Sequence, residues 1–251
     1  MASTRTVLIT GAASGIGAVL GRRLAKPGAQ IALHTGSNEA GLAAVAAEVE
    51  AAGATVLTSV GDLRDPAACN ALVASVTERF GALDGFVSNA GYADRTQFEE
   101  VDTATLHATF DAMTVAFMNI VHAATPFLKA SSCGRVVAVS SFVAHRYQLG
   151  DRFPASAVAK AGLETLVRMA AERLASAGVC VNAVAPGYIQ KDHETDFTDS
   201  ERHARRPGIS SVPMQRIGQP GEIAAVIEFL LSEQVSYMTG QVLHVDGGMM
   251  L

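Results

Sequence analysis

Seven short runs rich in β-branched and other apolar residues recur along the chain, separated by alanine-rich stretches with helical spacing. The runs are Thr6 to Thr10, Gln30 to His34, Thr55 to Val60, Gly85 to Ser88, Arg135 to Ser140, Cys180 to Ala185 and Gln241 to Val245. The intervening stretches are Gly15 to Ala25, Ala40 to Ala52, Ala67 to Phe80, Ala104 to Leu128, Ala155 to Ala177 and Pro220 to Leu231. Strands that are apolar nearly throughout are buried on both faces, and strands that alternate with helices pair in parallel. The pattern therefore predicts an α/β, doubly wound (Rossmann) fold with one seven-stranded parallel sheet. Gly28, Gly53 and Gly178 follow helical stretches and can supply the left-handed residue that ends a helix. No repeat or linker divides the 251 residues, so residues 1–251 read as a single domain.

Composition narrows the function classes. A hydrophobic fraction of 49% with 17% charged residues suits a large core and excludes intrinsic disorder. A net charge of −5 offers no basic field for phosphate backbones or anionic lipid, so neither nucleic acid nor a membrane is expected as partner. Cys69, Cys133 and Cys180 are odd in number and far apart, which predicts no disulfide framework and no metal site, and fits a reducing cytoplasm. No apolar run approaches the roughly 18 residues of a membrane span, and the start of the chain has no h-region, so neither an anchor nor a leader is expected.

The first strand runs into Thr10-Gly11-Ala12-Ala13-Ser14-Gly15-Ile16-Gly17 and then a helix. Glycines there permit a tight turn and close approach of the backbone to a pyrophosphate, and the helix N-terminus favours negative charge. An ordinary glycine-rich turn is the alternative, and the strand before and helix after the turn favour phosphate binding.

Further motifs follow in order: Asp62-Leu63, Ser88-Asn89-Ala90-Gly91, Gly134-Arg135 to Ser140-Ser141, Lys160-Ala161-Gly162, Asn182 to Pro186-Gly187, and Thr239-Gly240-Gln241 to Val245-Asp246-Gly247-Gly248. With the glycine turn, they make the whole chain resemble the short-chain dehydrogenase/reductase family in its ordinary single-domain form. The resemblance implies an NAD(P)(H)-dependent oxidoreductase acting on a small-molecule carbonyl or alcohol, and assembly as a homotetramer or homodimer. By the same resemblance, Gly11, Ala13, Ser14, Gly15, Ile16 and Gly17 hold the cofactor's phosphates. Asp62 and Leu63 border its adenine, Asn89, Ala90 and Gly91 form the turn beside it, Lys160 holds its ribose, and Pro186, Gly187, Tyr188 and Ile189 line its nicotinamide. The segment Gly187 to Pro213 is expected to be a substrate-binding loop, in which Asp192 and His193 either face a substrate or form a charged lid surface.

The choice between NADP and NAD is read at the end of the second strand, where an acidic residue would hold the ribose of NAD. Here the segment is His34-Thr35-Gly36-Ser37-Asn38, with no carboxylate before Glu39. A 2′-phosphate could rest against Thr35 and Ser37 without repulsion, but no arginine or lysine pairs with it. The balance leans toward NADP. His34 is either a half-buried strand residue without a ligand or a residue facing the cofactor.

At the chemical end the chain departs from the family's pattern. Members reduce a carbonyl with a tyrosine four residues before the lysine, a serine on the fifth strand and an asparagine on the fourth helix. Ser141 matches the serine, but the position four before Lys160 is Ser156 and the asparagine position is Met113. Asn119 lies on the wrong helical face to substitute. Enoyl reductases of the superfamily place the tyrosine seven before the lysine, which here is Phe153. Nineteen positions separate Ser141 from Lys160, two more than usual, so the segment Phe142 to Pro154, in which His145, Arg146, Tyr147, Asp151 and Arg152 lie, carries a short insertion. Lys191 stands where many relatives place a threonine. The candidate catalytic set is Ser141, Ser156, Lys160 and Tyr147.

Three readings compete. Hydride transfer persists, with the proton supplied by Lys160, by a water held between Ser156 and Ser141, or by Tyr147. Alternatively, the nucleotide site is kept while Lys160 or Ser156 performs non-redox lyase, isomerase or cyclase chemistry. In the third, the chain is a catalytically silent cofactor-binding subunit. Tyr147 and His145 also read as solvated loop residues, and Met249-Met250-Leu251 as interface or core packing.

Overall fold

The computed structural model describes residues 5–147, 153–192, 209–210 and 212–251. Asp151, Arg152, His193 and most of the expected substrate loop therefore lie outside the described residues. The strands are β1 (Thr6–Thr10), β2 (Gln30–Thr35), β3 (Thr55–Val60), β4 (Gly85–Ser88), β5 (Arg135–Val139), β6 (Cys180–Pro186) and β7 (Val242–Val245). They form one sheet in the order β3-β2-β1-β4-β5-β6-β7, and every pairing is parallel. The order reverses between β1 and β4, the switch point at which ligands of doubly wound sheets bind.

The helices are α1 (Gly15–Leu24), α2 (Glu39–Ala51), α3 (Pro66–Phe80), α4 (Thr103–Phe110), α5 (Ala116–Ala130), α6 (Pro154–Ala175) and α7 (Pro220–Leu231). Local chemistry sets several boundaries. Asp65 caps α3 by accepting from Ala67 N–H at 2.8 Å, Pro66 opens it, and Gly81 ends it at φ +74°. Gln219 and Glu222 form a capping box on α7, with Pro220 at its start. Two cores flank the sheet. Leu8, Phe86, Phe117 and Val136 pack toward α3, α5 and α6, while Ile9, Leu33, Val87 and Val184 pack toward α1, α2 and α7. The three cysteines are buried and free. Among the described residues no helix is long and apolar enough to cross a membrane.

One expectation is corrected. Ala104 to Leu128 is not a continuous α-helix: a π-turn, Asp111–Val115, separates α4 from α5. The extra residue leaves the apolar pattern running on either side, so periodicity alone does not show it. Thr114 in that turn donates its hydroxyl to the Ala159 carbonyl at 2.7 Å, and a Cβ on Gly162 would lie 2.9 Å from the Phe110 ring. The π-turn is thus pressed against α6 beside Lys160, and π-turns inside α-helices are frequent at functional sites.

Candidate active site

The carboxyl ends of β1 and β4 are stitched together. Thr10 Oγ1 accepts the backbone N–H groups of Asn89 (3.1 Å) and Ala90 (3.2 Å) and donates to the Val87 carbonyl at 3.3 Å. Asn89 Nδ2 donates to the carbonyls of Thr10 (3.1 Å) and Gly11 (2.8 Å). The turn that follows β1 has no room for side chains. A Cβ on Gly17 would lie 2.3 Å from the Gly11 carbonyl oxygen and 2.6 Å from Asn89 Nδ2; one on Gly11, at φ +66°, would lie 2.8 Å from Ala90 Cα. Gly15 differs, since it has φ +54° but only open space where its Cβ would be.

The N-terminus of α1 is built to receive an anion. Ser14 makes no side-chain capping bond and the first turn holds no acidic residue, which leaves backbone N–H groups and the positive end of the helix dipole directed outward. The N–H of Gly15 donates at 3.0 Å to the Asp192 carboxylate, which comes from the segment after β6. Open space above Gly15 and a helix start without a Ser14 cap suit a dinucleotide's phosphates, and the Asp192 carboxylate on the Gly15 N–H shows that this donor takes an anion. Gly11, Ser14, Gly15, Ile16 and Gly17 would hold them.

Past the carboxyl end of β3, where the family resemblance puts the adenine, Leu63 is buried and Asp62 is exposed. Asp62 is gripped by the Arg64 guanidinium at 2.5 and 2.8 Å and by the Arg64 N–H at 3.0 Å, and these bonds hold its carboxyl below the usual range. Sequence reasoning did not see that neighbour. His34 is buried rather than half-buried: Nε2 bonds the Gly61 carbonyl at 3.0 Å, Nδ1 is buried without a partner, and burial lowers its pKa. Thr35 is buried too, so Ser37 is the exposed hydroxyl at this end, while Asn38 caps α2 through Gly41 N–H at 3.0 Å.

Past the carboxyl end of β5, Lys160 is buried on α6, and its Nζ donates to the Val139 carbonyl at 2.6 Å. A Cβ on Gly91 would lie 3.0 Å from Met113 Sδ and 3.4 Å from Lys160 Nζ, so the π-turn methionine, the turn after β4 and the lysine converge on one point. Burial pushes the Lys160 pKa down to about 8, while Glu164 acts in the opposite direction. Ser156 is also buried, but its hydroxyl is committed elsewhere: it accepts the Asp94 N–H at 3.0 Å and donates toward the Tyr92 carbonyl at 3.5 Å. Ser141 Oγ accepts the Val143 N–H at 3.4 Å at the start of a short 3-10 turn, Phe142–Ala144. Tyr147 is 73% exposed, and its hydroxyl donates to the Ala144 carbonyl at 2.5 Å. The sheet thus brings Lys160 together with the Asn89-Ala90-Gly91 turn, while Tyr147 faces solvent.

A family model described as enoyl-(acyl carrier protein) reductase matches residues 11–250. The chain belongs to the short-chain dehydrogenase/reductase family. Within this family it is similar to the 3-oxoacyl-[acyl-carrier-protein] reductase FabG of Staphylococcus aureus, 32% identical over 250 residues that cover 99% of both chains. It is also similar to the L-rhamnose 1-dehydrogenase (NAD(P)(+)) of Azotobacter vinelandii, 34% identical over 98% of this chain and 96% of that one. Among solved structures, the L-sorbose reductase of Gluconobacter frateurii, complexed with NADPH and L-sorbose, superimposes with a TM-score of 0.90 at 26% identity, covering 99% and 97% of the two chains.

In this short-chain dehydrogenase/reductase the fifth strand ends in a polar cluster that sequence reasoning missed. Glu164, one helical turn after Lys160, is 3% exposed. Its carboxylate accepts from Ser140 Oγ at 2.5 Å, meets His145 Nε2 at 2.8 Å, and lies 3.6 Å from the Arg168 guanidinium. The His145 ring packs edge-on against His244 of β7, with centroids 4.6 Å apart. His145 is therefore no solvated loop residue. A carboxylate four residues after the lysine, between the apolar Leu163 and Val167, is the signal that could have found this cluster. Beyond β6, a Cβ on Gly187 would lie 2.8 Å from Asp246 Cα, which fixes Pro186-Gly187 against the end of β7; Tyr188 packs edge-on against Phe142 at 4.9 Å.

Proposed function

We propose that the chain is an NAD(P)(H)-dependent oxidoreductase of small-molecule carbonyls and alcohols in which Lys160 handles the proton that a tyrosine carries in ordinary members. The observation that carries this reading is the glycine turn at the start of α1, where Ser14 provides no cap and the Gly15 N–H already holds an anionic group, the Asp192 carboxylate, together with the buried amine of Lys160 beyond the β1-β4 switch point. Two relatives, an NAD(P)(+)-dependent rhamnose dehydrogenase and a sorbose reductase complexed with NADPH, support the same class of dinucleotide. The neutral Thr35-Gly36-Ser37-Asn38 segment leans toward NADP.

When bound, the reduced dinucleotide would supply hydride to the carbonyl carbon. The chain's own residues do the rest. Lys160 orients the ribose and, as an ammonium below pH of about 8, gives a proton to the developing alkoxide directly or through one water. Ser141 offers its hydroxyl proton to the substrate oxygen. Met113 fills the position where the family's asparagine would hold water, so its thioether offers no proton relay there. Substrate enters over residues 187–213, and the exposed Val158 and Met169 on α6 support assembly of copies through that helix.

The lowered pKa of Lys160 also suits a general base, which keeps a non-redox lyase or isomerase reaction as the second reading. One experiment separates the two. Binding of the four dinucleotides is followed by calorimetry, and turnover of a panel of ketones, oxoacyl thioesters and sugars is followed at 340 nm. Hydride transfer that vanishes in Lys160→Ala supports the proposal; product formation with no change in dinucleotide absorbance overturns it.

A further inference from the structure

We propose that Glu164 is a positioning residue for Lys160: with Ser140 and His145 it fastens the end of β5 to α6 and provides the counter-charge of the buried ammonium. This inference rests on the reading of Lys160 given above.

Two successive residues at the end of β5 are each held by α6. The Val139 carbonyl receives the Lys160 ammonium at 2.6 Å, and the Ser140 hydroxyl donates to Glu164 at 2.5 Å. Lys160 and Glu164 are four apart on the helix, so their side chains leave the same face one turn apart, and the strand end is gripped at two points. A buried carboxylate needs polar partners. Ser140, His145 and Arg168 supply them to Glu164, from the residue after β5, from the turn that follows and from its own helix. Arg168 is half-exposed, and solvent screens it.

Within the packed surroundings of Lys160, Glu164 provides the Coulombic attraction that opposes the desolvation of its ammonium. Asp111 on the π-turn acts on Arg64. His145, backed by the His244 ring, and Arg168 meet the carboxylate rather than the lysine. Removing the carboxylate's charge therefore lowers the pH at which Lys160 becomes neutral, and with it the alkaline limit of any step that needs the ammonium.

The test needs no substrate. Full-length protein is labelled with acetic anhydride across pH 6 to 11, and the rate of Lys160 acetylation is read by mass spectrometry. The expected midpoint lies near 8 in the wild-type protein and at least half a unit lower in Glu164→Gln, an isosteric change, with Glu164→Asp falling between them. The high-pH limb of the kcat profile moves with it. An unchanged or raised midpoint in Glu164→Gln overturns the proposal. Should Glu164→Gln not fold, Glu164→Asp decides by the direction of the same shift, and an unchanged or raised midpoint again overturns it. A shifted midpoint in a protein that turns over no carbonyl would sink the reductase reading alone.

Discussion

The backbone N–H of Gly15 donates to the carboxylate of Asp192, 177 residues later in the chain, at 3.0 Å. This is the donor that the glycine turn directs at a phosphate, so the side chain and a bound dinucleotide compete for it. Asp192→Ala should tighten dinucleotide binding about three- to tenfold, because a charge-assisted hydrogen bond is worth about 1.5–3 kcal/mol and this one is partly screened at the surface. Asp192→Asn should gain less. Calorimetric titration of the variants decides it: weaker binding by Asp192→Ala would show the carboxylate to be an ally of the cofactor.

The glycines of the turn are unequal. Gly17→Ala places a Cβ against the backbone of Gly11 and the Asn89 amide, so it should lower stability by about 2–4 kcal/mol and abolish dinucleotide binding. Gly15→Ala meets no atom and costs only the strain of its positive φ, about 1 kcal/mol. Thermal melts with and without dinucleotide should rank Gly17→Ala well below Gly15→Ala. Equal melting temperatures would refute the packing argument.

The catalytic candidates separate in a similar way. Tyr147→Phe should leave turnover within twofold, since the ring is exposed and its hydroxyl serves the Ala144 carbonyl. Ser156→Ala leaves the half-buried Asp94 N–H without its acceptor and should cost about 1 kcal/mol. Ser156→Tyr must displace the Tyr92-to-Asp94 segment that now occupies this hydroxyl, so it should cost about 1–3 kcal/mol more while raising carbonyl reduction. Melting curves read the first effect and absorbance at 340 nm the second; a large loss of turnover in Tyr147→Phe would return the search to the inserted segment.

What the sequence made legible follows from range. Each strand carries its own signal in consecutive residues, so Thr6–Thr10, Thr55–Val60 and Gly85–Ser88 are read off directly. The family resemblance placed Asn89 in the turn after β4, but its bonds to the Thr10 and Gly11 carbonyls join residues nearly 80 positions apart and show only in the fold. The π-turn was not, because one inserted residue leaves the apolar pattern of Ala104 to Leu128 intact. Spacing alone puts Ser156 and Lys160 on one face of α6, yet the fate of the Ser156 hydroxyl is set by Tyr92 and Asp94, more than 60 residues earlier. Asp192 and Gly15 belong to different βα units and meet only after the sheet has formed.

Lys160 should trade stability for function. Burial brings its pKa from the ordinary 10.5 down to about 8, so the folded protein carries a penalty of about 3 kcal/mol wherever the lysine must stay charged. The sign follows from proton counts. Between about pH 8 and 10.5 the unfolded chain holds more protons than the folded one, so stability rises with pH across that window; below 8 the penalty is complete. Lys160→Met removes the ammonium but leaves the Val139 carbonyl without its donor, which returns about 1 kcal/mol. The variant should therefore be about 1–2 kcal/mol more stable than wild type at pH 7, with the advantage gone by pH 10.5, and its turnover should fall at least 100-fold. Urea titrations at the two pH values test this. A variant less stable than wild type at pH 7 would mean that the hydrogen bond to Val139 outweighs the desolvation of the charge.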